Sequence, residues 1–155
     1  MFDQKQAFTD KLLQIARGNP GRVAVPAADN AEALEGIAMA MADGVISGGA
    51  LIGNPDAIRK VAADVGLPID RFRIIDEPDW DAAADLAVNL VVNHEADFLL
   101  KGQLGTKNYL KPVLNRKYGL VPEGGTLSHV AMAMLPTYHK PLFFADAAIT
   151  ISPDA

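Results

Sequence analysis

The chain has 155 residues, half of them hydrophobic and 21% charged, with a formal net charge of −5 and mean hydropathy of +0.12. That size and balance fit one soluble domain with a sizeable core, and the acidity argues against non-specific nucleic-acid binding through a broad basic surface. The absence of cysteine excludes disulfides, thiolate metal sites and a cysteine nucleophile, and the cytoplasm is the expected compartment.

Residues 2–17 place Phe8, Leu12, Leu13, Ile15 and Ala16 at helical spacing before Gly18, Asn19 and Pro20. The segment reads as an amphipathic helix, not a signal peptide, and no stretch approaches the ~20 apolar residues of a membrane span. A short β-branched run at 22–26 follows, then a helix from Asp29 or Asn30 to Gly44. VISGGALIG reads as a strand at 45–52, and its glycines lack the GxGxxG spacing of a dinucleotide fingerprint; close packing accounts for them better. Asn54 or Asp56 caps the next helix, with Pro55 suited to its first turn. FRIIDE gives a strand at 72–76, DWDAAADLAVNLVVN a helix, and DFLLKG a strand at 97–101. A loop then opens the helix TKNYLKPVLNRKYG. Two extended runs, 126–135 and 141–147, flank a turn at PTYHKP and read as a hairpin.

Short apolar runs alternating with helices indicate βαβ units. The expected fold is α/β: a three-layer αβα arrangement with a mostly parallel sheet and a C-terminal antiparallel hairpin, in one region covering 1–155.

The stretch LLKGQLGTKNYLKPVL (99–114) carries the strongest chemical signal. It sets Lys101, Gly102, Gly105 and Thr106 at a strand's carboxyl end, where helix N–H groups point toward ligands in open α/β sheets. Glycine allows close backbone approach, Thr106 can cap the helix or donate to an anion, and Lys107 and Lys111 share a helix face. Solvated lysines and an ordinary turn account for the same residues more blandly. The order Gly-Thr-Lys after two intervening residues is no P-loop, which needs four residues and then Gly-Lys-Ser/Thr. His94, His129 and His139 lack metal-ligand spacing, so no metal site is expected. His129 suits a core or a pocket equally. Asp76 and Glu77 fit a turn before Pro78, and Asp29 and Asn30 fit a helix cap. Asp146, inside an apolar run, requires a hydrogen-bond partner.

The stretch from Leu-Lys-Gly through Thr106 to Leu110, Lys111 and Pro112 resembles the phosphate acetyl/butyryltransferase family. So do Leu-Ser-His-Val, Pro-x-Tyr-His-Lys-Pro and Asp-Ala-Ala with its closing Pro-Asp, which are nearer the butyryl branch. The resemblance implies an isocitrate/isopropylmalate dehydrogenase-like fold, a homodimer and an active site in a cleft between two domains. It implies the reaction acyl-CoA + phosphate = acyl phosphate + CoA on a short acyl chain, by direct attack and without metal or other cofactor. It marks Lys101, Gly102, Thr106, Lys111 and Ser128 as phosphate- or substrate-binding positions and leaves the catalytic residues unassigned. Lysine at 111 stands where acetyltransferases carry arginine, so the bidentate contact of a guanidinium is lost. Family subunits are about twice this length, and the residues nearest the chemistry lie in their second half. The chain is therefore expected to supply one wall of the cleft, to associate with a second chain or the missing half, and to be inactive alone. A non-catalytic phosphate- or CoA-binding module of the same fold is the alternative. The metal-dependent dehydrogenases of that fold group lack support, because no acidic metal cluster is evident.

Overall fold

The computed structural model describes residues 2–145. After helix α1 (Phe2–Arg17), four strands build one parallel sheet: β1 (Gly21–Pro26), β2 (Ile46–Gly53), β3 (Phe72–Asp76) and β4 (Phe98–Leu99). Helices α2 (Ala31–Ala42), α3 (Pro55–Asp64) and α4 (Trp80–Val92) are the crossovers, and α5 (Thr106–Val113) follows β4. The strand order is β3-β2-β1-β4.

Alternation along the strands makes three layers. Val23, Val25, Leu51 and Phe72 face α2 and α3, packing with Leu34, Ile37, Ile58 and Ala62. Ala24, Ala50 and Ile52 face the other way, onto Ala83, Ala87 and Leu90 of α4. Alanine on both sides of that second interface lets α4 lie close to the sheet. Each fully buried Val, Leu or Ile contributes about 1.5–3 kcal/mol, and such residues dominate the face toward α2 and α3.

The helix starts resolve the capping choices left open by the sequence. Asn30 accepts from the Ala33 N–H and Asn54 from those of Asp56 and Ala57; Asp79, for which no cap was named from the sequence, accepts from that of Ala82. The glycines of β2 serve close approach, as expected. A Cβ on Gly49, whose φ is +146°, would stand 1.9 Å from the Val23 carbonyl oxygen.

Three elements differ from the sequence expectation. Regular pairing in β4 covers two residues before the chain bends into the loop. The Asp97, Leu100 and Gly102 N–H groups still donate to Arg22, Ala24 and Pro26 carbonyls, so the segment follows β1 along its length. The helix expected through Gly119 ends at Val113, one residue past Pro112. Proline has no N–H to continue the ladder, and Asn115 starts a separate 3-10 turn at Arg116–Tyr118.

The hairpin is present as expected, and the third difference is the shorter extent of its strands. Strands β5 (Val130–Ala133) and β6 (Leu142–Ala145) pair antiparallel but form their own two-stranded sheet and do not extend the parallel one. Regular pairing stops short of residue 135, where Pro136 and a turn hydrogen bond from Tyr138 N–H to the Leu135 carbonyl begin the reversal. One face carries Val130, Met132 and Phe143 in the open, with Val130 63% and Phe143 67% exposed. The end of the expected 141–147 strand, and Asp146, lie outside the described residues. Among those described, no helix is long and apolar enough to cross a membrane.

Candidate functional site

Strand order reverses at β1. The chain steps outward from β1 to β2 and β3, then crosses back so that β4 docks on the other side of β1. Ligands of open α/β sheets sit at such a switch point, outside the carboxyl ends of the strands. Here those ends are residues 27–30 after β1 and 100–103 after β4.

Gly102 is buried against the exit of β1. A Cβ there would lie 2.1 Å from the Ala27 carbonyl oxygen and 2.4 Å from that of Pro26. Its N–H donates to Pro26 O at 3.2 Å, and the Gln103 N–H donates to Ala27 O at 2.9 Å. Ala27 itself has φ +50°, a left-handed conformation uncommon outside glycine, and it turns β1 sharply away at this point. Leu104, fully buried with Ala27 and Ala84, anchors the other end of the loop. These contacts fix where α5 begins.

Gly105 takes the N-cap position and brings no side-chain oxygen to the first N–H groups of α5. Thr106 is the first helical residue and is exposed, and no side-chain cap is made at this helix start. Lys101 donates from Nζ to the Leu104 carbonyl at 3.1 Å and ties the loop across its base. Asn30, Glu32, Ala33, Lys101, Gly102 and Gln103 line an open cleft of about 480 Å³ at the ends of β1 and β4.

Lys111 lies elsewhere on the helix. Five residues from Thr106, it is rotated by roughly 140° and displaced by about 7.5 Å along the axis. Its Nζ stands 2.9 Å from Asp81 Oδ2 on α4, and Asn108, one turn earlier, donates to Asp81 Oδ1. The hydrogen bond from Lys111, then that from Asn108, lower the pKa of Asp81. In return Asp81 raises the pKa of Lys111, with smaller contributions from Asp85 and Asp79. Nearby, the Tyr118 hydroxyl donates to Asp85 Oδ1 at 3.0 Å.

The fold thus gathers Lys101, Gly102 and Thr106 around one loop. It turns Lys111 toward α4, and Ser128 sits exposed in the segment leading into β5, outside the lined cleft. Backbone N–H groups, a hydroxyl and ammonium groups are the donors an anion needs. The sequence reading missed Asp81 and Asn108. Their signal was Asp81 and Asp85 four apart on one helix and Asn108 and Lys111 three apart on the next, two polar faces of matching chemistry.

Residues 80–155 match the family model described as "Phosphate acetyl/butaryl transferase". Over 149 residues the chain is 32% identical to a phosphate butyryltransferase of Clostridium acetobutylicum, covering 96% of this chain and 49% of that protein. It is also 32% identical over 146 residues to a phosphate acetyltransferase of Thermotoga maritima, covering 94% of this chain and 49% of the relative. In fold it is similar to a solved branched-chain phosphotransacylase from Enterococcus faecalis V583. The TM-score is 0.63 at 27% identity, over 86% of this chain and 45% of that one. It spans about half the length of the curated relatives it matches. With its likeness running through both sequence and fold, the chain belongs to the phosphate acetyl/butyryltransferase family.

Proposed function

We propose that this chain contributes one wall of a phosphate acyltransferase cleft, in which a short acyl group such as butyryl passes between CoA and inorganic phosphate. In the direction of acyl phosphate formation, a phosphate oxygen attacks the thioester carbonyl carbon, the C–S bond breaks and CoA thiolate leaves. In reverse the thiolate attacks the acyl phosphate and phosphate leaves. The observation that carries the reading is the coincidence of the family's Lys-Gly-x-x-x-Thr stretch with the switch point of the sheet, at a helix start that lacks a side-chain cap.

In this reading Gly102 brings the loop close, the first N–H groups of α5 and the Thr106 hydroxyl meet the phosphate oxygens, and Lys101 and Lys111 supply positive charge. Ser128 approaches from the hairpin side. Hydrogen bonds to a charged phosphate contribute roughly 1.5–3 kcal/mol each. The exposed apolar face of the β5–β6 hairpin is where a second copy, or the remaining length of a family-sized subunit, associates. The setting is cytoplasmic, where acyl-CoA is available.

The test follows free thiol from butyryl-CoA in the presence and absence of phosphate. Phosphate-dependent release by the chain extended to the length of its relatives is expected, with no steady turnover from residues 1–155 alone. Stabilising charge on the reacting carbonyl needs donors from both sides. Binding of CoA and phosphate without turnover by the extended chain would select a non-catalytic module instead.

A further inference from the structure

We propose that Asp81 is an internal competitor for phosphate: its carboxylate holds the Lys111 ammonium until an incoming anion displaces it. The inference rests on the phosphate reading above and adds a control element to that site.

The geometry is specific to one carboxylate among three. Asp79 accepts from the Ala82 N–H at the start of α4, and Asp85 accepts from the Tyr118 hydroxyl. Asp81 alone accepts from α5 with both oxygens, from Lys111 Nζ at 2.9 Å and from the Asn108 amide. Lys111 therefore stands neutralised in this structure, turned away from Thr106 and the loop. Its four-carbon stem allows it to leave, since a lysine ammonium is a flexible point charge, not a rigid planar fork. The pair is open to solvent, with Lys111 69% and Asp81 44% exposed, so an anion can reach the ammonium directly. Exposed pairs of this kind are weak and screened by salt. A phosphate that also gains the helix N–H groups outcompetes the carboxylate.

The position at α5 fits the same scheme. Asn108 keeps a hydrogen bond to Asp81 after Lys111 departs, so the contact between α4 and α5 outlasts the exchange. Only the ammonium moves. Asp81 thus raises the phosphate concentration at which Lys111 is recruited.

The experiment titrates inorganic phosphate into the 155-residue chain at low ionic strength, following 31P line shape and the Nζ resonance of Lys111. The variants are Asp81→Asn, Lys111→Ala and the double substitution. Asp81→Asn keeps an acceptor for Asn108 and removes the charge, and should tighten phosphate binding about two- to five-fold. The gain should vanish in the Lys111→Ala background and shrink with added sodium chloride. A structural role for Asp81 alone predicts the opposite sign, weaker binding together with a lower melting temperature. Unchanged or weaker affinity in Asp81→Asn, with Lys111→Ala still weakening binding, overturns the competitor and leaves the phosphate site standing. Equal affinity in all four proteins, or no binding in any, overturns the phosphate assignment of Lys111 and the competitor with it.

Discussion

Replacing Gly102 by alanine puts a methyl group where the backbone of β1 already stands. The new Cβ would meet the Ala27 and Pro26 carbonyl oxygens at 2.1 and 2.4 Å, an ångström or more short of the 3.4 Å at which ordinary contact begins. No side chain can swing aside, because both neighbours are main chain. Relief must come from moving the loop off β1, which stretches the Gly102 and Gln103 hydrogen bonds of 3.2 and 2.9 Å. Overpacking costs about 1–3 kcal/mol and each of the two weakened hydrogen bonds about 0.5–1.5, so the variant should lose about 2–6 kcal/mol. At roughly 2–4 °C per kcal/mol for a chain of this size, the melting temperature should fall by about 4–24 °C. Thermal and urea unfolding followed by circular dichroism measure it, with an unchanged m-value showing that the unfolded state is not the cause. Phosphate binding should weaken in parallel, since the displaced loop carries Gly105 and Thr106. A Gly102→Ala protein that melts within about 2 °C of the parent refutes the close approach of this loop to β1.

Other substitutions test other parts of the structure. Gly36→Ala, in α2 with nothing within 4 Å of the added Cβ, should stabilise by up to about 1 kcal/mol, read as a higher urea midpoint. Asn30→Ala removes the oxygen that accepts from Ala33 N–H and should cost about 1 kcal/mol in the same assay. Asp97 receives the Arg22 side chain and backbone N–H, and these bonds lower its pKa to about 2. A carboxyl held below its ordinary value of about 3.9 adds stability above that pH and loses it as the pH falls toward 2. Asp97→Asn should therefore flatten the decline of stability between about pH 4 and pH 2, and an unchanged slope would contradict the clamp. Phe143→Asp, on the open face of the hairpin, should reduce concentration-dependent association in sedimentation velocity if that face is a contact surface.

Elements whose cause is local were readable in the sequence. Asn54 before Pro55, Asp79 before a run of alanines, and the alternating FRIID strand each carry their own signal in adjacent residues. The corner at Gly102 was legible as a glycine and lysine cluster at a strand exit. What pins it, the carbonyls of Pro26 and Ala27, lies 75 residues away and leaves no trace in spacing. Separation along the chain also hid the Arg22–Asp97 clamp, 75 residues apart, and the Asp81–Lys111 pair, 30 apart. Helical spacing did group Lys107 with Lys111. It also turns Lys111 away from Thr106, a consequence of the 3.6-residue period that the motif reading passed over. The hairpin was recognised from its turn, but whether two strands join an existing sheet depends on tertiary contacts that alternation cannot encode.

The strand order also sets a sequence of events. β1 finds β2 across one helix, and β3 can join as soon as the next helix forms, so three of the four strands assemble from near neighbours along the chain. β4 arrives last, closing a loop from Arg22 to Asp97 that spans 75 residues, and long closures are slow relative to local ones. Until it docks, one side of β1 presents bare N–H and C=O groups, an open edge on which another chain can add. On the ribosome that interval lasts until the residues around 100 have emerged. Docking then completes the cleft and covers that edge in a single step.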